Sequence, residues 1–313
     1  MKEIDIAELS AFKIGNAQNK SAQTGVSVVI CERGGVCGVD VRGGSPATRE
    51  ITKLGPIYNN KCAHGIVLAG GSSFGLAAAD GVMRFLEARG VGRDTGIAKI
   101  PNVAAASLFD LKVGDGKVRP DADMGREACE NAFAGGQVTS GKYGAGCGAT
   151  VGKARDMAHS MAGGLGVAAF RQGNLAVGAL AAVNCIGDIV KNGEIIAGTL
   201  GDDGTFADSE KIIVSQYANV KDFFSENTIL AVIMTNADLD KAEMTRVAMQ
   251  GQNGIALAIR PPHSIFDGDT CFAICSGEVR ASQDAVGILA REAVKTAIYK
   301  SIFPSLHKLN IIP

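Results

Sequence analysis

Short, almost wholly apolar runs alternate along this chain with longer amphipathic ones. The apolar runs lie at Gly25 to Cys31, Val36 to Val41, Gly65 to Ala69, Leu165 to Arg171, Leu175 to Val183, Thr228 to Thr235, Ile255 to Ile259 and Thr270 to Cys275. Several are apolar on both faces, which predicts strands covered from both sides. Helical spacing is found at Phe74 to Arg89, where Leu76, Val82, Met83 and Leu86 share a face, with Ser73 as the expected N-cap and Gly90 as the stop. Glu127 to Phe133, Leu239 to Gln250 and Ser282 to Ile302 are the other predicted helices; in the last, Val286, Leu289, Ala290, Ala293, Ala297 and Ile298 keep the period. Strand pairs interleaved with helices, without a regular βαβα rhythm, predict an α/β architecture of sheets layered on each other with helices outside. No repeat and no linker interrupts the chain, so a single domain over residues 1–313 is expected.

Composition adds limits. Hydrophobic residues make up 46% and charged residues 20%, enough for a sizeable core. Glycine accounts for 41 of 313 residues and tryptophan is absent, so the layers are built from small aliphatic side chains that approach closely. Net charge is −1 and no basic run occurs, which argues against nucleic acid or anionic lipid as partner and for a small molecule. The N-terminal MKEIDIAELS is too charged for a signal peptide, and no apolar stretch reaches the length of a membrane span, so a cytoplasmic protein is expected. The eight cysteines, at 31, 37, 62, 129, 147, 185, 271 and 275, include no CxxC pair; buried reduced thiols are expected, not disulfides or zinc ligands.

Two loops resemble phosphate cradles. In Gly146-Cys147-Gly148-Ala149-Thr150-Val151-Gly152-Lys153-Ala154 the leading glycine of GxxxxGK would fall at Cys147, and the magnesium-binding hydroxyl is replaced by Ala154, so nucleotide hydrolysis is not expected. Gly70-Gly71-Ser72-Ser73-Phe74-Gly75 lacks GxGxxG spacing and reads better as a tight strand-to-helix turn.

Conventional nucleophiles are missing. His64, His159, His263 and His307 fall in no triad signature, and there is no GxSxG elbow. A hydroxyl can instead use its own α-amino group as base, whose reference pKa is about 7.7 to 8.0, if the residue is N-terminal. Thr228 opens an apolar strand directly after the turn-prone Ser225-Glu226-Asn227. It would become N-terminal if its Oγ attacked the Asn227 carbonyl and the resulting ester were hydrolysed. A threonine opening a strand is otherwise there for its β-propensity.

The chain resembles the L-aminopeptidase/D-esterase and β-aminopeptidase family of self-cleaving hydrolases. The likeness runs through Thr24-Gly25-Val26-Ser27-Val28-Val29, Gly38 to Glu50, Leu68 to Val82, Leu108-Phe109-Asp110-Leu111, Gly144 to Ala149, Val183-Asn184-Cys185 and Thr228 to Leu239. The resemblance implies a four-layer α/β/β/α sandwich. It also implies a precursor split at Asn227/Thr228 into a large chain, 1–227, and a small chain, 228–313, that stay together, within a homo-oligomer, a tetramer by family likeness. The Asn227-Thr228 junction and the paired Asp267 and Asp269 look like the nylon-oligomer hydrolase branch; the aminopeptidases use a Ser after Gly at the junction, and tend to have a Ser and a Glu at the other two positions.

Matched residue by residue, Thr228 would be the nucleophile, Asn184 would stabilise the oxyanion, and Lys153 would keep the threonine amine neutral or relay its proton. Asp267 and Asp269, two apart on a strand, would share a face, split their pKa values and position amine and substrate. Each has a plain alternative: Asn184 as a turn residue, Lys153 as a solvated surface lysine, and Asp267-Gly268 as a hairpin turn. The branch's tyrosine is replaced by Phe109, which puts a polyamide substrate in question. The expected activity is hydrolysis of a small peptide, amino-acid amide or ester through an acyl-enzyme, needing no metal or organic cofactor. The alternatives are acyl transfer of the ornithine-acetyltransferase type, or an uncleaved non-catalytic member.

Overall fold

A computed structural model of the chain describes residues 1–60, 62–218 and 227–302. The strands that matter for the site, labelled in chain order, are β1 (Lys13–Asn19), β2 (Thr24–Val41), β3 (Ala63–Ala69), β4 (Val103–Ser107), β5 (Gly164–Gln172), β6 (Leu175–Asn184), β7 (Thr228–Asp238) and β8 (Thr270–Arg280). The main helices are α1 (Ala78–Ala88), α2 (Ala122–Ala134), α3 (Lys241–Ala258) and α4 (Gln283–Ser301).

β2 joins the two apolar runs at Gly25 and Val36 into one strand that serves two sheets. Its first half pairs with β1 and β3, and its second half, Val36 to Val41, pairs with β8. The crossing falls at a register break after Ile30, where Gly34 takes φ 77° and a side chain at Gly35 would run into Ile274. One sheet therefore runs β5-β6-β7-β8 to the far half of β2, and the other runs from the near half of β2 through β3 to β4, with β1 on its flank. β7 and β8 are parallel, as are β3 and β4; the other neighbours among these strands are antiparallel.

Alternation of side chains about the strands fills three apolar layers. Between the sheets, Ile66, Leu68 and Ala106 pack with Leu180, Leu230, Val232, Met234 and Phe272. The opposite face of β6 to β8, including Val177, Ala179, Ile229, Ile233 and Ala273, packs on α3 and α4 through Val247, Ile255, Ala293 and Ala297. The outer face of the other sheet, with Val26, Val28 and Val67, packs on Val82 and Leu86 of α1 and Ala128 of α2. The order is α/β/β/α, as the family likeness implies. β7 lies inside it, apolar on both faces because both faces are buried.

The structure departs from the sequence pattern at three places. Ile255 to Ile259 is not a strand: α3 continues to Ala258, because Gly251 and Gly254, which weaken the helix signal, are where it meets Ile233 and the Arg291 carbonyl of α4 at close range. β4 was not anticipated, being a run of alanines with little β-propensity. Ser73 caps nothing; Ser72 to Ala77 forms a 3₁₀ turn with Ser72 at φ 56° before α1 begins. The cysteines are free, seven buried and Cys62 half-buried. Burial pushes the thiol of Cys31 up to about 11 and that of Cys129 to about 12, which keeps them unreactive at neutral pH. No described helix is long and apolar enough to cross a membrane.

Candidate active site

The site forms where β6, β7 and the segment entering β8 end together. β6 and β7 pair antiparallel up to Asn184 opposite Thr228. One residue earlier, Asn227 bridges Asp267 in the parallel sense. Asn184, Thr228, Asp267, Asp269 and Lys153 are all buried, so the candidate residues that the sequence separates by more than a hundred positions converge on one strand end. Ser225 and Glu226 of the turn-prone stretch, and His307, lie outside the described residues.

The Thr228 hydroxyl lies against the Asn227 carbonyl oxygen, within hydrogen-bonding reach. That same oxygen accepts the Gly268 N–H at 2.9 Å. Gly268 is compact by necessity: a Cβ there would stand 2.7 Å from Thr228 Oγ1 and 3.0 Å from the Ser45 carbonyl oxygen.

Asn184 is not a surface turn residue. Its Oδ1 accepts from Thr150 N at 3.0 Å, Thr150 Oγ1 at 3.3 Å and Lys153 Nζ at 3.0 Å, which fixes the orientation of the amide. Its Nδ2 donates to the Phe109 carbonyl at 2.9 Å, so residue 109 supports the site through its backbone, which does not depend on a phenol. Lys153 Nζ also donates to the Asn184 carbonyl at 3.3 Å. Its loop is tied down by Lys153 N–H to Ile186 and Gly152 N–H to Gly187, with Gly152 at φ 71° against the Gly198-Thr199 backbone. Lys153 is thus a buried lysine bonded to Asn184, neither a solvated surface group nor a phosphate ligand.

The two aspartates precede β8 instead of standing on it, so the shared-face argument from a strand does not apply; a tight turn brings them in. Asp267 N–H donates to the Ser264 carbonyl, and Asp267 Oδ2 accepts Ser264 N–H at 2.7 Å. Asp267 Oδ1 is buried with no hydrogen-bond partner among the described residues. Burial, and then the neighbouring charge of Asp269, push the Asp267 carboxyl up to about 7, against the pull of the Ser264 bonds and Lys153. Asp269 is fully engaged: Oδ1 accepts Ile229 N–H at 2.7 Å, and Oδ2 accepts from His263 N at 3.2 Å and His263 Nδ1 at 2.8 Å. Residues 42–45 pin the turn from outside, Arg42 N–H on the Asp269 carbonyl and Ser45 N–H on that of Asp267.

Sequence reasoning missed His263, Gly268 and Thr150. His263 carries no motif; its only signal is lying six residues before Asp269 in the same turn. The Gly70-Gly71-Ser72 turn is filled by the protein itself: Gly71 N–H donates to Asp110 Oδ1 at 2.7 Å and Ser72 N–H to the Leu108 carbonyl at 2.8 Å, which supports the turn reading over an anion site. Among the described residues no His, Cys, Asp and Glu cluster could hold a metal ion.

Comparison with known proteins agrees with this architecture. Residues 5–307 match peptidase family S58. An uncharacterized aminopeptidase of Mycobacterium leprae is 40% identical over 83% of this chain and 73% of its own length. The 6-aminohexanoate-oligomer endohydrolase of Paenarthrobacter ureafaciens is 31% identical over 87% of this chain and 75% of its own. Among solved structures, the L-aminopeptidase D-Ala-esterase/amidase of Ochrobactrum anthropi, described as a variant of the N-terminal-nucleophile hydrolase fold, superposes with TM-score 0.68 at 18% identity, covering 96% of this chain and 85% of that one. A Burkholderia β-aminopeptidase superposes with TM-score 0.63 at 18% identity over 93% of this chain and 84% of that one. Sandwich and sequence together assign the chain to peptidase family S58, as a peptide- and amide-hydrolysing enzyme on the N-terminal-nucleophile hydrolase fold.

Proposed function

We propose that the protein cuts itself between Asn227 and Thr228 and then uses the freed Thr228 to hydrolyse small peptides or amino-acid amides through an acyl-enzyme. The observation that carries this reading is the arrangement at the junction: a buried threonine hydroxyl against the carbonyl of its own preceding residue, with that carbonyl already accepting the Gly268 N–H. The hydroxyl oxygen adds to the Asn227 carbonyl carbon, and the charge that builds on the carbonyl oxygen is stabilised by Gly268 N–H. The C–N bond breaks as the Thr228 nitrogen takes a proton, leaving an ester. Water then hydrolyses the ester to a carboxylate at Asn227 and a free α-amine at Thr228. Asp267 is suited to carry the proton, having one bare buried oxygen and a pKa of about 7.

In the mature enzyme the Thr228 amine is the base, and the same hydroxyl attacks the substrate carbonyl. Asn184, held opposite Thr228 by Thr150 and Lys153, supplies an amide N–H to the oxyanion. Lys153 places a positive charge beside the site, which favours the neutral amine. Asp269 anchors the strand end through Ile229 N–H, leaving Asp267 to meet the amine or the substrate amide. The 6-aminohexanoate-oligomer endohydrolase likeness supports ω-amino-acid amides as candidates, and the aminopeptidase likeness supports short peptides. Release of amine from a panel of such amides, compared for the wild type and for Thr228→Ala and Thr228→Ser, tests the reading. Activity kept in the serine variant and lost in the alanine variant is expected; equal activity in all three would remove Thr228 from the chemistry. Added amines diverting the product to new amides would mark acyl transfer.

A further inference from the structure

His263 belongs to no motif and no role above, yet among the described residues it is the only side chain that bonds Asp269. Its Nδ1 lies 2.8 Å from Asp269 Oδ2, and its backbone N–H reaches the same oxygen at 3.2 Å. The other carboxylate oxygen takes Ile229 N–H at 2.7 Å, one residue beyond Thr228. A carboxylate held at one oxygen only would rotate about its Cβ–Cγ bond; here one oxygen is clamped by ring and backbone, so the other is aimed at the Ile229 N–H at the start of β7. The backbone is built for it: His263 takes φ 53°, a conformation that ordinary side chains avoid, and this turns the ring back onto the carboxylate.

We propose that His263 is a positioning residue that acts through Asp269 to fix the start of β7, and with it the attack geometry of Thr228. The proposal rests on the self-cleavage reading for its kinetic test and has a second test that does not.

Asn and Gly both accept a positive φ, so His263→Asn and His263→Gly leave the backbone unstrained. Asn Nδ2 occupies nearly the place of the ring Nδ1 and restores the donor; Gly removes it. Loss of a hydrogen bond to a charged group predicts that His263→Gly slows self-cleavage and kcat for amide hydrolysis by about tenfold to a hundredfold, with KM little changed. His263→Asn recovers most of that loss. In an Asp269→Asn background, His263→Gly adds little, because its partner is already altered. Equal rates for the Gly and Asn variants, or fully additive losses, would overturn the proposal. The independent readout is exchange of the Ile229 amide in 15N-isoleucine-labelled Thr228→Ala protein, which needs no activity. His263→Gly in that background should raise its exchange about tenfold and His263→Asn should restore it; no change would reject the proposal. If the wild type neither cuts nor hydrolyses while the amide responds, the functional reading fails and the role of His263 stands.

Discussion

Gly268 shows how tightly the chemistry is specified at single residues. Its N–H holds the Asn227 carbonyl, and the space where a Cβ would go is taken by the Thr228 hydroxyl. Gly268→Ala keeps the N–H but displaces the nucleophile, and a displacement of that order corresponds to about a hundredfold in rate. Timed denaturing gels of freshly made protein should show the alanine variant still mostly uncut when the wild type is complete. Asp267 yields a pH prediction. Its carboxyl is raised from 3.8 to about 7 in the folded chain, so between those values the folded state binds more protons than the unfolded one. Its contribution therefore favours folding at low pH and is lost as pH rises from about 4 to about 7. Asp267→Asn, which keeps an acceptor for Ser264 N–H, removes that decline. Urea midpoints should show the variant gaining on the wild type across that interval; a constant difference would contradict the assigned environment. Thr228, Asn184, Lys153 and the two aspartates were legible by likeness to a family. Their burial, and the partners that fix them, were not, because hydrogen bonds such as Lys153 to Asn184 and His263 to Asp269 leave no periodic trace in sequence.

At the scale of elements, the pattern of apolar runs located β5 to β8 because a strand buried on both faces leaves an unbroken signature. It failed where packing overrules propensity. The glycines of α3 and α4's partner strand look like helix or strand breakers and are contact points. Gly166 of β5 is one: a side chain there would collide with the Ala297 carbonyl of α4. Gly166→Ala should push the helix off the sheet and cost about 1–3 kcal/mol, read as a lower urea midpoint, without abolishing self-cleavage, since Gly166 sits on β5, separated from Thr228 by the whole of β6. The proposed junction is an element boundary: β7 starts at Thr228, so a cut there would cost the sheet no strand.

For the whole molecule, the interleaving of strands decides what cutting does. β7, β8 and α4 would belong to the small chain, while β6 and β2, which flank β7 and β8, belong to the large one. Every side chain from Ile229 to Met234 is fully buried between layers, each worth about 1.5–3 kcal/mol for the larger ones. The two chains should therefore co-elute in native size-exclusion chromatography and separate only on denaturation; release of the small chain under native conditions would be incompatible with this sheet order. The central claim is self-cleavage at Asn227/Thr228, and the denatured intact mass of purified wild type, beside Thr228→Ala, tests it most directly. The account predicts two wild-type masses, the smaller beginning at Thr228, and one uncut mass for the variant. A single intact wild-type chain, or a variant cut at the same bond, would contradict it.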